Sequence, residues 1–256
     1  MRPITSLLPR LMGHLAGALL PQDCHACGKA LADSLPDQQP AGRTHLCHAC
    51  IAGLPRVGPH CPICAMPVAT PTTAPEVCGQ CLRRPPHFDA TFAALEYAAP
   101  VDRMIQSLKY AANLPLAIVF AQFLREQLPP SAGNRIMVAM PLHPARLRQR
   151  GFNQALEIAR HIAKQRADIT LLVDGVHRIR DTPAQAGLHV EQRRANIRHA
   201  FACDIDLAGM TVAIVDDVMT TGATLDELAR TLKNRGAARV ENWVVARTIT
   251  QGNKHV

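Results

Sequence analysis

Two hydrophobic patterns alternate along the chain from residue 88 onward. Runs rich in apolar residues predict strands, and they are FDATFAALEY at 88–97, RIMVAMPL at 135–142, TVAIV at 211–215 and VENWVVART at 240–248. Between these runs, apolar residues with helical spacing predict helices over 101–108, 115–128, 155–163 and 225–232. Alternating strands and helices predict an α/β fold with a parallel sheet, whose ligand sites lie at the carboxyl ends of the strands.

The first twenty residues do not continue this alternation. Arg2 and Arg10 precede a short apolar stretch, which is the charge order of a secretory signal. His14 and two glycines interrupt the stretch, however, and it falls short of the roughly 20 apolar residues that span a bilayer. We therefore expect a short N-terminal helix over residues 1–20, no membrane association and a cytoplasmic protein.

Eight of the nine cysteines lie between positions 24 and 81, and all eight form CxxC pairs. Two thiolates separated by two residues fit one tight turn and supply half of a tetrahedral Zn²⁺ site. The gaps inside the first two pairs and the last two pairs are 19 and 13 residues, each suited to one hairpin. The favoured pairing is therefore sequential, with two structural Zn²⁺ ions held by Cys24, Cys27, Cys47 and Cys50 and by Cys61, Cys64, Cys78 and Cys81.

Other arrangements of these cysteines are compatible with the spacing. A cross-braced pairing joins the first pair to the third and the second to the fourth, and four cysteines could also hold an iron–sulfur cluster. A disulfide framework needs an oxidising compartment, whereas we expect a reducing one. Four nearby histidines could replace a thiolate but are interpreted as surface residues, namely His25, His45, His48 and His60. Cys203 lies apart from the pairs, and we expect it to be a small buried residue.

Basic residues outnumber acidic ones by 28 to 20, which gives a formal net charge of +8. Two bound Zn²⁺ ions and eight thiolates would lower that value to +4, so the overall basicity is modest. It is concentrated between residues 141 and 200, where eleven Lys and Arg stand against five Asp and Glu, a local charge of +6. Such a segment favours an anionic partner, for example a phosphate ester or nucleic acid.

The stretch VAIVDDVMTTGAT at 212–224 combines a buried strand, two adjacent aspartates and a small, hydroxyl-rich turn before a helix. The N-terminus of a helix presents free N–H groups and a positive dipole end, which favour a phosphate. Gly222 lets the main chain close on that anion. Asp216 and Asp217 would repel a phosphate, so we expect them to bind sugar hydroxyls or a divalent metal. A 5-phosphorylated ribose satisfies both halves of the stretch.

These thirteen residues resemble the phosphoribosyl pyrophosphate (PRPP) motif of type I phosphoribosyltransferases. The CxxC pairs, LKY at 108–110, PLHPARLRQRGFNQA at 141–155, RDTPAQAGL at 180–188 and RRANIRHAF at 193–201 further resemble the ComF family of competence-associated and GntX-like proteins. The resemblance spans nearly the whole chain. It implies a double zinc ribbon over residues 21–86 and a type I phosphoribosyltransferase-like parallel sheet, flanked by helices, over residues 87–256.

The resemblance also implies roles for individual residues. Asp216 and Asp217 would bind the ribose 2′ and 3′ hydroxyls. Arg150 and Gly151, in the basic loop HPARLRQRGFNQ at 143–154, would hold the pyrophosphate together with Mg²⁺, although a solvated basic face is the other interpretation of that loop. Asp216, Asp217 and Arg150 are the candidate catalytic residues. The 5′-phosphate loop would consist of Thr220, Thr221, Gly222, Ala223 and Thr224.

Two further elements of the pocket follow from the same resemblance. The segment 178–198 resembles the mobile lid of the fold, and its candidate residues are Arg180, Thr182, Gln185, Arg193 and Asn196. Lys109 could face the same pocket and contribute to PRPP binding, or it could complement the dipole at the end of its helix.

Three functions are consistent with these features. A Mg²⁺-dependent phosphoribosyltransferase would release pyrophosphate from PRPP. A non-catalytic module would bind PRPP or the 5′-phosphate of single-stranded DNA, in keeping with the basic segment and with the DNA uptake during natural transformation that the family resemblance implies. The ribbons could instead dock a competence helicase or another DNA-uptake protein. About eight residues follow the last strand, and no acceptor-base site is identifiable in the sequence.

Overall fold

The computed structural model describes residues 23–31, 45–68, 76–129, 134–181 and 196–249. The chain divides into two compact units, Met1–Leu54 and Pro55–Val256. In the first unit, a CxxC turn begins at Cys24 and a second cysteine pair is attached to the short helix α1 (His48–Gly53). The helix predicted over residues 1–20 lies outside the described residues, and the module boundaries at residues 20 and 86 stay predictions.

The second unit is built on a five-stranded parallel sheet with the strand order β1-β7-β6-β2-β3. Its strands are β1 (Ala90–Glu96), β2 (Arg135–Ala139), β3 (Ile169–Leu172), β6 (Thr211–Met219) and β7 (Arg239–Arg247). A separate antiparallel pair consists of β4 (Val176–Arg178) and β5 (Phe201–Cys203). The inner strands β6 and β7 are buried over most of their length, which explains their continuous apolar sequences.

Helices connect and cover these strands, and the helices that periodicity predicts all form. The helices of this unit are α2 (Gly79–Arg83), α3 (Val101–Ala111), α4 (Pro115–Gln127), α5 (Pro144–Arg150), α6 (Gln154–Ala163) and α7 (Ala223–Lys233). Those that periodicity predicts are α3, α4, α6 and α7. Helices α4 and α6 pack against each other and on the sheet, whereas α7 packs on β5, β6 and β7. The predicted parallel α/β sheet with flanking helices is therefore confirmed. Cys203 is buried, as expected.

Two predictions about local structure are wrong. Strand β6 does not end at residue 215 but continues to Met219, because pairing with β7 extends to that residue, so Asp216 and Asp217 lie inside the strand. The basic segment 143–154, predicted to be a loop, contains helix α5. Pro144 occupies the first turn of that helix, and the His143 ring accepts a hydrogen bond from the Ala145 N–H as an N-terminal cap.

Residues 55–62 cover the free edge of β1. The Glu96 N–H donates to the Pro55 carbonyl at 2.9 Å, and the Thr91 N–H donates to the Pro62 carbonyl at 3.0 Å. An uncovered edge strand would leave these groups free to pair with another chain. Cys61, Cys64 and Cys81 are buried in the same apolar cluster as residues of β6 and α7. The second cysteine cluster thus belongs to the compact unit that contains the sheet.

Candidate functional site

Two adjacent carboxylates of β6 meet one ammonium group of α3. The Nζ atom of Lys109 lies 2.7 Å from Oδ2 of Asp217, which is only 3% exposed. The Asp217 N–H donates to Oδ1 of Asp216 at 2.9 Å and fixes the second carboxylate. Burial lowers the pKa of Lys109, but the charge of Asp217, its hydrogen bond and the charge of Asp216 together raise that pKa overall. Lys109 therefore faces the acidic pair and is held in its charged form.

The pKa of Asp216 is raised to about 8, first by burial and then by the neighbouring charge of Asp217. Lys109 acts in the opposite direction but does not outweigh these two effects. A large fraction of Asp216 is consequently protonated at neutral pH. A ligand that brings a cation or hydrogen-bond donors to this carboxyl group would favour its charged form.

The turn after β6 has the geometry of an anion site. Gly222 has φ of 80°, a left-handed conformation that favours glycine, and a Cβ atom there would also lie 2.7 Å from the terminal methyl group of Met219. Helix α7 begins at Ala223, whose N–H donates to the Thr221 hydroxyl at 3.4 Å. Thr220 is exposed, and Thr221 and Thr224 are partly buried. The start of this 11-residue helix, with its positive dipole end, lies one short turn beyond the two carboxylates.

Arg150 ends helix α5 close to the same end of α3. Its guanidinium group lies 5.6 Å from the ring centroid of Tyr110, the neighbour of Lys109, and donates to the Gln154 side chain. Gly151 follows with φ of 83° and ends α5, because its N–H donates to the Leu147 carbonyl in a left-handed cap. Arg150 therefore lies near Lys109, and Gly151 follows it in the chain, whereas Arg148 is exposed.

The two ends of the predicted lid, residues 178–198, are joined. Arg180 is exposed and donates to the main-chain carbonyl of Arg198. Arg146 of α5 pairs with Asp181 at 3.4 Å. Asn196 is partly buried in the helical turn before β5. The other candidate lid residues lie outside the described residues, and they are Thr182, Gln185 and Arg193.

Arg178 on β4 is a site residue that sequence reasoning missed. It is 8% exposed, burial lowers its pKa, and the charge of Asp216 acts in the opposite direction. It also lines a cavity of about 440 Å³ at the carboxyl ends of β2 and β3, together with Pro141, Gly151 and Asn153. No periodicity marks a three-residue strand, so the sequence contains no cue for this arginine.

The cysteines form two clusters of four in sequential pairing, and cross-bracing is excluded. Within each cluster the sulfur atoms lie within 4.8 Å of one another, and single distances are 3.8 Å for Cys27 and Cys47 and 3.6 Å for Cys64 and Cys78. A tetrahedral ZnS₄ site with Zn–S bonds of about 2.3 Å has sulfur–sulfur edges of about 3.8 Å. The donor sets therefore fit structural zinc.

A parallel sheet, an acidic pair before an anion-type turn and two Cys₄ clusters define a phosphoribosyltransferase-like protein with a double zinc ribbon. Two family descriptions match the chain, "Double zinc ribbon domain" over residues 15–82 and "Phosphoribosyl transferase domain" over residues 148–255. DNA utilization protein YhgH of Salmonella typhimurium is 30% identical over 210 residues, which cover 80% of this chain and 91% of that protein. The chain belongs to the ComF family.

The chain is also similar to a competence protein and to a solved phosphoribosyl transferase structure. Competence protein F of Haemophilus influenzae is 31% identical over 183 residues, which cover 66% of this chain and 78% of that protein. Among solved structures, the hypoxanthine phosphoribosyl transferase of Trypanosoma cruzi is 15% identical over 56% of this chain and 65% of that chain, with a TM-score of 0.31. The family assignment rests on the sequence relatives. Within the described ranges, no helix combines the length and apolar character needed to cross a bilayer.

Proposed function

We propose that the protein binds PRPP with Mg²⁺ at the carboxyl end of β6 and acts in DNA uptake, in keeping with relatives that are named for DNA utilization and for competence. The observation that carries this proposal is the placement of an acidic pair and a helix N-terminus on either side of one short turn. Asp216 and Asp217 offer acceptors to ribose hydroxyls, and residues 220–224 offer donors to the 5′-phosphate. Few other ligands present both chemistries a few ångströms apart.

The remaining charges of the site suit the pyrophosphate of the same ligand. Lys109 and Arg150 lie together at one side of the acidic pair, and both can donate to phosphate oxygens. Carboxylate oxygens are ligands that Mg²⁺ accepts, so the acidic pair fits that ion, which would neutralise the charge of a departing pyrophosphate when bound. The protein's own residues would position the ribose and compensate charge, with Arg150 and the two aspartates as candidate catalytic residues.

Calorimetric titration of PRPP with MgCl₂ tests the proposal. The wild type should bind, and Asp217→Asn should weaken binding at least roughly tenfold because a charged acceptor is lost. Asp204→Asn is the matched control, since the Asp204 side chain is 72% exposed and lies away from β6 on the loop after β5. Absence of binding by the wild type would overturn the proposal. Pyrophosphate release measured on the same samples would decide whether the protein turns PRPP over.

A second candidate function is binding of single-stranded DNA through its 5′-phosphate, without turnover. A groove of about 680 Å³ begins at Ala223 of α7, and its lining contains five basic residues, which are Arg84, His87, Arg198, His199 and Arg230. Two carboxylates also line it, Asp226 beside His87 and Glu227 beside Arg230. This groove offers a path for further phosphates beyond the turn. Competition between PRPP and 5′-phosphorylated oligonucleotides, with 5′-hydroxyl oligonucleotides as control, distinguishes a shared phosphate site from separate ones.

Two further parts of the proposal concern partners and location. The zinc ribbons are proposed to dock a competence helicase or another DNA-uptake protein, which a pull-down with and without zinc would test. A cytoplasmic location is proposed because the eight clustered cysteines have a metal-type arrangement, and metal-bound thiolates are typical of reducing compartments. Fractionation of cells that produce the protein would test the location.

A further inference from the structure

Arg247, the last residue of β7, joins the second cysteine cluster to the anion-type turn. It is 4% exposed, and it donates from Nε to the main-chain carbonyl of Cys64 at 2.8 Å. Its other end donates to the carbonyls of Met219 at 2.9 Å, of Thr248 at 2.8 Å and of Thr220. One guanidinium group thus bonds the main chain of Cys64, which belongs to the cysteine cluster, and the main chain of Met219 and Thr220, which lead into the turn.

The buried positive charge of this arginine is a second link to the cysteine cluster. Within the part of the chain that the structure describes, no carboxylate lies within ion-pair distance of Arg247, and its acceptors are main-chain carbonyls. A buried cation without a counter-charge is costly. Four thiolates with one Zn²⁺ would carry a net charge of about −2, and the guanidinium bonds the main chain of Cys64, a residue of that cluster. A zinc-loaded cluster would therefore supply a counter-charge beside Arg247.

The first turn of the second cluster is attached to the sheet along its whole length. Three consecutive carbonyls accept hydrogen bonds from strands β1 and β7: Pro62 from the Thr91 N–H at 3.0 Å, Ile63 from the Thr91 hydroxyl at 2.6 Å, and Cys64 from Arg247. The Thr91 hydroxyl in turn accepts from the Asn242 amide at 3.1 Å. A change in the shape of this CxxC turn would therefore alter its hydrogen bonds with Thr91, near the start of β1, and with Arg247, at the end of β7.

We propose that Arg247 is a positioning residue through which zinc at the second cluster pre-organises the anion-type turn at residues 219–222. The second zinc site then supports ligand binding as well as local stability. The ligand part of this inference rests on the proposed function, whereas the coupling between cluster and turn does not. Arg247 touches no ligand group itself and acts through the carbonyls of Met219 and Thr220, which set the direction of the chain entering Gly222.

Hydrogen–deuterium exchange of a peptide spanning residues 217–225 tests the coupling without any ligand. Arg247→Lys keeps the charge but loses the planar guanidinium group that bonds both the Cys64 carbonyl and the carbonyls of the turn. Exchange in this peptide should therefore rise several-fold, while the zinc content stays at two per chain. Arg239→Lys, at the exposed start of the same strand, is the matched control and should behave as the wild type. PRPP affinity should fall about tenfold in Arg247→Lys and remain unchanged in Arg239→Lys.

Zinc loss at single sites provides the second test. Cys81→Ser removes a ligand of the second cluster and should raise exchange at 217–225, whereas Cys50→Ser, the same change in the first cluster, should not. If Cys81→Ser does not fold, exchange of the 217–225 peptide in Arg247→Lys alone tests the coupling. Unchanged exchange in Arg247→Lys, or an equal rise in Cys50→Ser, would overturn the coupling. A wild type that binds no PRPP while Arg247→Lys raises exchange would contradict the proposed function and support the coupling.

Discussion

Lys109 Nζ lies 2.7 Å from Asp217 Oδ2, at the point where the end of α3 meets the interior of β6. One ammonium group thus stands against two adjacent carboxylates, and the two carboxylates respond differently. Asp217 forms the ion pair, whereas the pKa of Asp216 is raised by burial and by the charge of Asp217. The site therefore has an uneven distribution of charge before any ligand arrives, and the predictions on binding and stability start from this arrangement.

Lys109→Met should lower the free energy of unfolding by about 3 kcal/mol, because it leaves a buried carboxylate without its partner. The double variant Lys109→Met/Asp217→Asn should recover part of this loss, since neither charge then remains unpaired. Urea denaturation of the three proteins measures the effect. Lys164→Met is the control, because Lys164 also lies at the C-terminal end of a helix but is exposed. An equal loss in Lys164→Met would mean that Lys109 acts mainly on the helix dipole.

The raised pKa of Asp216 predicts a pH dependence of stability. The folded state holds this proton more tightly than the unfolded chain, so the free energy of unfolding should fall as the pH rises from about 4 to about 8. Asp216→Asn removes the titrating group and keeps the oxygen that accepts from the Asp217 N–H. At pH 8.5 the variant should be about 2 kcal/mol more stable than the wild type, with a smaller difference at pH 5. Denaturation curves at both values check this, and equal differences would contradict it.

Binding should depend on pH in the opposite sense. Ribose hydroxyls and Mg²⁺ favour the charged carboxylate, so PRPP affinity should rise up to roughly tenfold per pH unit below the pKa of Asp216. Calorimetry at pH 6.5 and 8.5 measures the rise. Titration of the PRPP phosphates is common to both proteins, so the comparison with Asp216→Asn isolates the contribution of the protein. A rise of the same size in the variant would exclude Asp216 as its source.

Gly222→Ala should destabilise the protein by about 2 kcal/mol and weaken phosphate binding. The φ of 80° is strained for alanine, and its Cβ atom would lie 2.7 Å from the Met219 side chain. Gly58→Ala is the control, because Gly58 is exposed, has no positive φ and has open space at its Cβ position. Urea denaturation gives the stability change, and titration with PRPP gives the affinity. A Gly222→Ala protein as stable as Gly58→Ala would show that the turn is not held in this conformation.

Local spacing was sufficient to predict most of the fold and part of the site. Strands β6 and β7 are recognisable because burial on both faces demands continuous apolar sequences, and the cysteine pairing follows from gaps that each fit one hairpin. Helix α5 has no buried residues, so no apolar stripe marks it. Arg247 escaped prediction because its contact with Cys64 joins residues 183 positions apart. Such contacts depend on strand order, which periodicity does not determine.

The basic groove beside α7 predicts a salt-dependent interaction with single-stranded DNA. Arg84 and Arg198 line the groove, whereas Arg230 is already paired with Glu227 at 2.6 Å. Each phosphate contact to a single strand contributes about 0.7 to the slope of log affinity against log salt. The double variant Arg84→Gln/Arg198→Gln should therefore reduce that slope by about 1.4 and weaken binding of a poly-dT oligonucleotide at low salt.

Fluorescence anisotropy at several salt concentrations measures both quantities, with Arg103→Gln as the control because Arg103 is exposed on α3, away from the groove. The result also separates the two candidate functions. If DNA occupies the groove and its 5′-phosphate occupies the turn, Gly222→Ala should weaken only 5′-phosphorylated oligonucleotides, while the double arginine variant should weaken phosphorylated and unphosphorylated ones alike. A slope that the double variant leaves unchanged would place DNA elsewhere and leave the turn to PRPP alone.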